Sequence, residues 1–165
     1  MTIWDIVLMF IIITLIAIII NGIMDYGSKN SLNKLSFADS MGRLNLPIVN
    51  LTNKGNTYKF LIDTGASISI MDSRALDSIE HSKLNIEGNA YGIECKIMSV
   101  NYISAELSSE NISFTEQFQV MKLDAFDNLR ETDGINLSGI LGSSFLKAHG
   151  FVIDFENQVL STKKN

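Results

Sequence analysis

The residues that could carry chemistry are Asp63-Thr64-Gly65, set in the run FLIDTGASISIM. An Asp that directly follows a hydrophobic strand has its carboxylate mounted on a rigid element. A turn at Thr64-Gly65 brings backbone N–H groups close to that carboxylate, because Gly has no Cβ. Such donors favour the charged form of the acid. Ala66 continues the turn, and Ile68–Met71 resumes the β structure. The turn is therefore expected to present one acid from the end of a β-hairpin. Asp and Gly are also common turn residues, so the tripeptide alone would serve equally as a plain turn.

The surrounding elements read as mostly β. Ile48–Leu51 and Tyr58–Ile62 are apolar strands joined by Thr52-Asn53-Lys54-Gly55-Asn56, a hairpin signal. Asp72 can cap a short helix, DSRALDSI. Residues 84–121 hold strand-like pieces at Leu84–Ile86, Ile93–Val100, Tyr102–Leu107, Ile112–Phe114 and Phe118–Met121. Ala125–Arg130 reads as a helical turn. Ser143 caps a second short helix, SSFLKAH, with Gly150 as its stop. Phe151–Phe155 and Gln158–Thr162 form a closing strand pair around Glu156-Asn157.

Composition narrows the classes. The 165 residues are 46 % hydrophobic and 19 % charged, with one Cys and one Pro. That excludes a disordered tail, a collagen-like chain and a disulfide scaffold. The net charge of −5 gives no electrostatic footprint for nucleic acid. His81 and His149 are far apart in sequence, so no metal motif is legible, and Cys95 has no motif around it.

These averages conceal an apolar N-terminus. Ile6 to Met24 contains no charge, and a helix of that length spans roughly 28 Å, close to a bilayer's hydrocarbon core. Trp4 and Tyr26 flank it. The absence of Lys and Arg before it, and of a small-residue cleavage site after it, favours a retained anchor over a signal peptide. Lys29, Lys34 and Arg43 follow the span, which leans the rest of the chain towards the cytoplasm. The expected organisation is a transmembrane anchor at residues 1–28, a tether at 29–44 and a β-rich domain at 45–165.

A second motif raises the weight of the first. Gly139-Ile140-Leu141-Gly142 is followed by Phe145-Leu146, Gly150 and Ile153-Asp154-Phe155. The two motifs, in this order, resemble those of the retropepsin-like aspartic proteases, most of all the bacterial single-domain branch. The resemblance covers about residues 45–162. It implies a mainly β fold, a closed barrel equivalent to half a pepsin with two short helices, here preceded by one transmembrane helix. It implies that Asp63 is the catalytic acid, that the Thr64 hydroxyl locks two active-site loops across a dimer axis, and that the Gly65 N–H faces the carboxylate. Ala66 in place of Ser resembles the retroviral type. Ile140, Leu141 and Gly142 match the hydrophobic-hydrophobic-Gly element beside the catalytic loop. Gly88, Asn89, Ala90, Tyr91 and Gly92 fall where the family has its substrate-covering flap.

Peptide hydrolysis of this kind needs two carboxylates sharing one proton. The sequence has no second D-[ST]-G: Thr132-Asp133-Gly134 has the wrong order, and Asp154 reads as a structural acid near a turn. A homodimer acting on protein or peptide substrates is therefore expected, with no metal or other cofactor. A catalytically inactive peptide-binding module on the same fold is the alternative, and a membrane protein in which D-T-G is only a turn is a third reading.

Overall fold

The computed structural model describes residues 13–18, 34–91, 97–109 and 112–162; of 85–91 and 97–100 it describes the backbone only. Residues 13–18 are helical, and Ile13, Leu15, Ile16 and Ile18 are exposed. The rest of the expected anchor lies outside the described residues. Among the described residues no helix is long and apolar enough to cross a membrane.

The unit that begins at residue 33 holds two sheets. Strand β2 (Ile48–Asn53) turns into β3 (Asn56–Ile62) through Lys54 and Gly55, at φ +49° and +84°. A two-residue loop with both φ values positive matches the right-handed twist of the flanking strands, and Gly takes such a φ without strain. Strands β4 (Ser69–Asp72), β5 (Ser82–Tyr91), β6 (Ile97–Ser109), β7 (Ile112–Met121) and β8 (Leu137–Leu141) complete a seven-stranded sheet in the order β2-β3-β8-β4-β7-β6-β5. Thr52 on β2 also pairs with Ser108 on β6, and the Thr52 Oγ1–Ser108 Oγ contact is 2.8 Å. This closes β2, β3, β8, β4, β7 and β6 into a six-stranded barrel, with β5 appended to β6.

Phe60, Phe118, Met71, Leu107, Leu141 and Phe145 fill the barrel with almost no exposure. The Phe60 and Phe118 rings stack with centroids 5.7 Å apart. Burial of these large apolar groups supplies the main driving force of folding.

The fold differs from the sequence-based expectation in four places. The expected tether at 29–44 contains structure: β1 (Lys34–Ser36), and helix α1 (Ala38–Leu44), closed by Asn45 in the left-handed region. Strand β1 pairs with the C-terminal strand β10 (Val159–Thr162), which pairs in turn with β9 (Phe151–Asp154), so Leu35 and Phe37 are core residues. These short apolar contacts are only legible once the distant partner strand is known.

The expected helix after Asp72 is one 3₁₀ turn, Ser73–Ala75, with the Asp72 carboxylate accepting from the Arg74 N–H. The helical turn expected at 125–130 is longer, a 3₁₀ turn at Asp124–Phe126 leading into α2 (Asp127–Asp133). With α1 and α3 (Ser143–Ala148), the described residues from 34 onwards hold three α-helices rather than two. Ser143 is the first helical residue and not the cap; Gly142 occupies the cap position.

Candidate active site

Strands β3 and β4 are consecutive in the chain but are not neighbours. β8 lies between them, parallel to β3 and antiparallel to β4. The expected hairpin is therefore absent, and residues 63–68 instead cross over the C-terminal end of β8. Because β3 and β8 run parallel, their ends bring Asp63 and Gly142 to the same place. The Asp63 N–H donates to the Leu141 carbonyl at 3.1 Å.

Within the crossing, the Gly65 N–H donates to Asp63 Oδ1 at 2.8 Å, and the Ala66 N–H to the Asp63 carbonyl at 3.2 Å. Asp63 is half-buried, and Thr64 and Gly65 are exposed. A Cβ on Gly65 would stand 3.1 Å from Asp63 Oδ1, so any larger residue crowds the carboxylate. The carboxylate is thus held at one oxygen by a backbone donor, while the turn leaves it open to solvent.

The second motif clamps this turn from the other side. The Ser143 N–H and hydroxyl both donate to the Ala66 carbonyl, at 2.8 and 3.0 Å, and the Ser144 N–H donates to the Ser67 carbonyl at 3.1 Å. Gly142 packs so closely that a Cβ would lie 2.5 Å from the Ile68 carbonyl oxygen and 2.9 Å from that of Ala66. Gly139 is equally tight, against the Ile70 carbonyl and the Phe60 ring. The glycines of G-I-L-G are thus required by close backbone approach. The Gly142 N–H donates to the buried Ser69 Oγ at 3.2 Å.

Leu61, Ile140 and Ile70 sit side by side in register across β3, β8 and β4, one row from the turn. Leu141, next to Ile140, points into the core with no exposure. The sequence motif thus mixes two jobs, Ile140 in the row and Leu141 in the barrel.

Four of the five residues expected to form a flap fall among the described residues. Gly88, Asn89, Ala90 and Tyr91 run as the end of β5, paired with Val100, Ser99, Met98 and Ile97 of β6. Gly92 and Cys95 lie outside the described residues.

Two other acids, Asp72 and Asp154, have structural partners. Asp72, only 1 % exposed, accepts from Arg74 Nε at 2.9 Å and Nη2 at 2.5 Å. Burial alone would raise its carboxyl, but the Arg74 hydrogen bonds and charge outweigh burial and hold it below the usual range. Arg74 also reaches Asp127 at 2.6 Å and the Leu123 carbonyl at 3.1 Å. Asp154 accepts from the Asn157 N–H at 2.9 Å and side chain at 2.6 Å, which lowers its carboxyl and makes it a turn acid, as its sequence context implies. Among the described residues no group of His, Cys, Asp and Glu could hold a metal ion.

A model of the aspartyl protease family matches residues 49–145, from β2 into α3, and so takes in Asp63-Thr64-Gly65, Gly139-Ile140-Leu141-Gly142 and the strands that carry them. The chain belongs to the aspartyl protease family. Its structure is similar to that of the retroviral protease-like domain of Ddi1 from Leishmania major, at 19 % identity over 71 % of this chain and 89 % of that one, with a TM-score of 0.45. It is similar to the EIAV protease solved with the inhibitor HBY-793, at 14 % identity over 62 % and 86 %, TM-score 0.45. It is also similar to a retropepsin-like aspartic protease from Rickettsia conorii, at 18 % identity over 80 % and 90 %, TM-score 0.47. No match is found among curated proteins.

Sequence reasoning missed Ser69, Ser143 and Gly139 as parts of this candidate site. The signal for Gly139 was available in the doubled glycines of G-I-L-G. That for the two serines was not, because their roles depend on contacts more than 70 residues away.

Proposed function

We propose that this chain is a membrane-anchored aspartic endopeptidase, active as a homodimer, in which two copies of Asp63 activate one water. The observation that carries the reading is the Asp63 carboxylate itself, half-buried, open at the surface and held by the Gly65 N–H at 2.8 Å. Membership of the aspartyl protease family supports it.

One chain offers one such acid, so a two-fold axis beside the Thr64-Gly65 turn completes the dyad. Thr64 is exposed there, and in the proposed dimer its hydroxyl would meet the partner's loop. Two carboxyls sharing one site cannot both ionise, so one retains a proton. The ionised Asp63 takes a proton from water, and the hydroxide equivalent attacks the scissile carbonyl. The protonated Asp63 donates a hydrogen bond to the carbonyl oxygen and then supplies the proton with which the amine leaves. The row of Leu61, Ile140 and Ile70 would accept apolar side chains of an extended peptide. The β5–β6 hairpin would close over it, with residues 88–92 at or near its moving end.

The apolar run Ile6–Met24 supports a single-span anchor, and Lys29, Lys34 and Arg43 favour a cytoplasmic domain. Tethering to a surface raises the effective concentration of protomers and favours a weak dimer.

The test is digestion of a diverse peptide mixture by the full chain and by Asp63→Asn, with products read by mass spectrometry from acidic to neutral pH. Cleavage by the wild type alone supports the reading. Equal cleavage by both excludes Asp63. A folded, dimeric wild type that cleaves nothing favours a peptide-binding module.

A further inference from the structure

We infer that Gln119 is a specificity-determining residue of the peptide cleft, its side-chain amide pairing with an Asn or Gln side chain of the substrate. The inference deepens the protease reading of Asp63 and rests on it. It starts from a polar group with nothing to bond. Gln119 is 3 % exposed, and among the described residues its buried Nε2 has no hydrogen-bond partner. A buried N–H left unpaired costs free energy, and native structures hold few such groups.

The place of Gln119 in the sheet supplies a reason. On β7, Phe118 and Val120 pack into the barrel core, so Gln119 between them faces the other way. It pairs in register with Ile70 of β4 on one side and Tyr102 of β6 on the other. Ile70 stands in turn beside Ile140, and Ile140 beside Leu61. Residues in register across a sheet share a face. Gln119 therefore extends the apolar row that begins at Leu61, two residues before Asp63, and brings an amide into it. From Asn101 onwards β6 pairs with β7, whereas residues 97–100 pair with β5. The hairpin proposed to move over the substrate thus begins beside Gln119, and its opening admits a side chain there.

The chemistry of the row selects the occupant. The Gln119 amide donates through Nε2 and accepts through Oε1, so its complement is a group that does both. Its neighbours in the row are Leu61, Ile140, Ile70 and Tyr102, none of them a cation. A substrate carboxylate buried among them would lack an opposite charge, whereas a neutral amide answers both ends of Gln119. An apolar side chain of the same length would leave the Gln119 amide unpaired, the mismatch that binding sites reject most strongly.

The experiment uses the full chain, its Asp63→Asn form, and both of these carrying Gln119→Met, which keeps the length of the side chain and removes the amide. The two chains with Asp63 are given a diverse peptide mixture, and the products are read by mass spectrometry. The two Asp63→Asn chains are given the same mixture, and the bound peptides are read. Urea unfolding is measured on all four. With Gln119 present, Asn and Gln should be enriched at one fixed position relative to the scissile bond. For a peptide pair with Gln or Met at that position, kcat/KM should favour Gln by about tenfold to a hundredfold. Gln119→Met should abolish or invert that preference and leave the other positions unchanged, in bound peptides as in cleaved ones. Its unfolding midpoint should be equal to that of the parent chain or higher, since the substitution removes an unpaired amide and no hydrogen bond.

A profile without Asn or Gln enrichment, a profile unchanged in Gln119→Met, or a lower unfolding midpoint, as for a broken structural hydrogen bond, would overturn the inference. A wild type that binds peptides but cleaves none would sink the protease reading instead, and the bound peptides would then decide whether Gln119 selects amides. A folded chain that neither cleaves nor binds would sink both.

Discussion

The Asp63 N–H donates to the carbonyl of Leu141 at 3.1 Å, a bond between residues that stand far apart in sequence and at the ends of two parallel strands. It ties the acid to the one strand inserted between β3 and β4. The Asp63 turn therefore inherits the rigidity of the barrel, while the carboxylate itself stays reachable.

Replacing Asp63 by Asn should leave the fold intact, since the Asn oxygen can still accept from Gly65. Hydrolysis should fall by at least about 10²–10⁴-fold, the range for loss of a general acid or base. Circular dichroism and a peptide-cleavage assay on the same preparation check both halves.

Gly142→Ala should cost about 1–3 kcal/mol in stability, as overpacking does, because the new Cβ meets two backbone carbonyls that cannot give way independently. Urea unfolding measures the loss. Cleavage should fall with it, since the same carbonyls belong to the catalytic turn.

Arg74→Leu should reverse the pH response of the buried Asp72. In the wild type the Asp72 carboxyl is lowered, so its contribution is present above the unfolded value near about 3.9 and is lost as pH falls through the folded value. Without the guanidinium, burial, the largest single effect, is opposed only by the N–H of residue 74 and the Arg130 charge, and the carboxyl rises. Stability should then decline as pH rises from about 4 towards neutrality. Unfolding midpoints across that range would show a positive slope for the wild type at its acid end and a negative slope for the variant.

Thr64→Ala should weaken the dimer without altering the fold of a protomer. Loss of one neutral hydrogen bond per subunit predicts an affinity lower by about tenfold. Sedimentation equilibrium measures it, and an unchanged dimer would remove Thr64 from the interface.

Much of the site was legible because it is local. Asp63, Gly65 and Ala66 are joined by bonds spanning two or three residues, and the apolar run before them marks a strand in any fold. The β2–β3 hairpin was legible for the same reason, through Lys54 and Gly55. The crossing over β8 was not, since nothing near Asp63 reveals that a strand formed by residues 137–141 will insert beside it. The same holds for Leu35, whose place in the core depends on Leu160. Glu116 fell between two expected strand pieces, Ile112–Phe114 and Phe118–Met121, and only the continuous β7 reveals that it is buried.

The most direct test of the shared dyad is mixing. Wild type and Asp63→Asn full-length chains are allowed to exchange subunits at constant total protein, and cleavage is followed as the wild-type fraction changes. A dyad built from two Asp63 residues predicts activity that follows the square of that fraction, about one quarter of the starting rate in an equal mixture. A linear fall, to about one half, would mean that each chain works alone and would contradict the account.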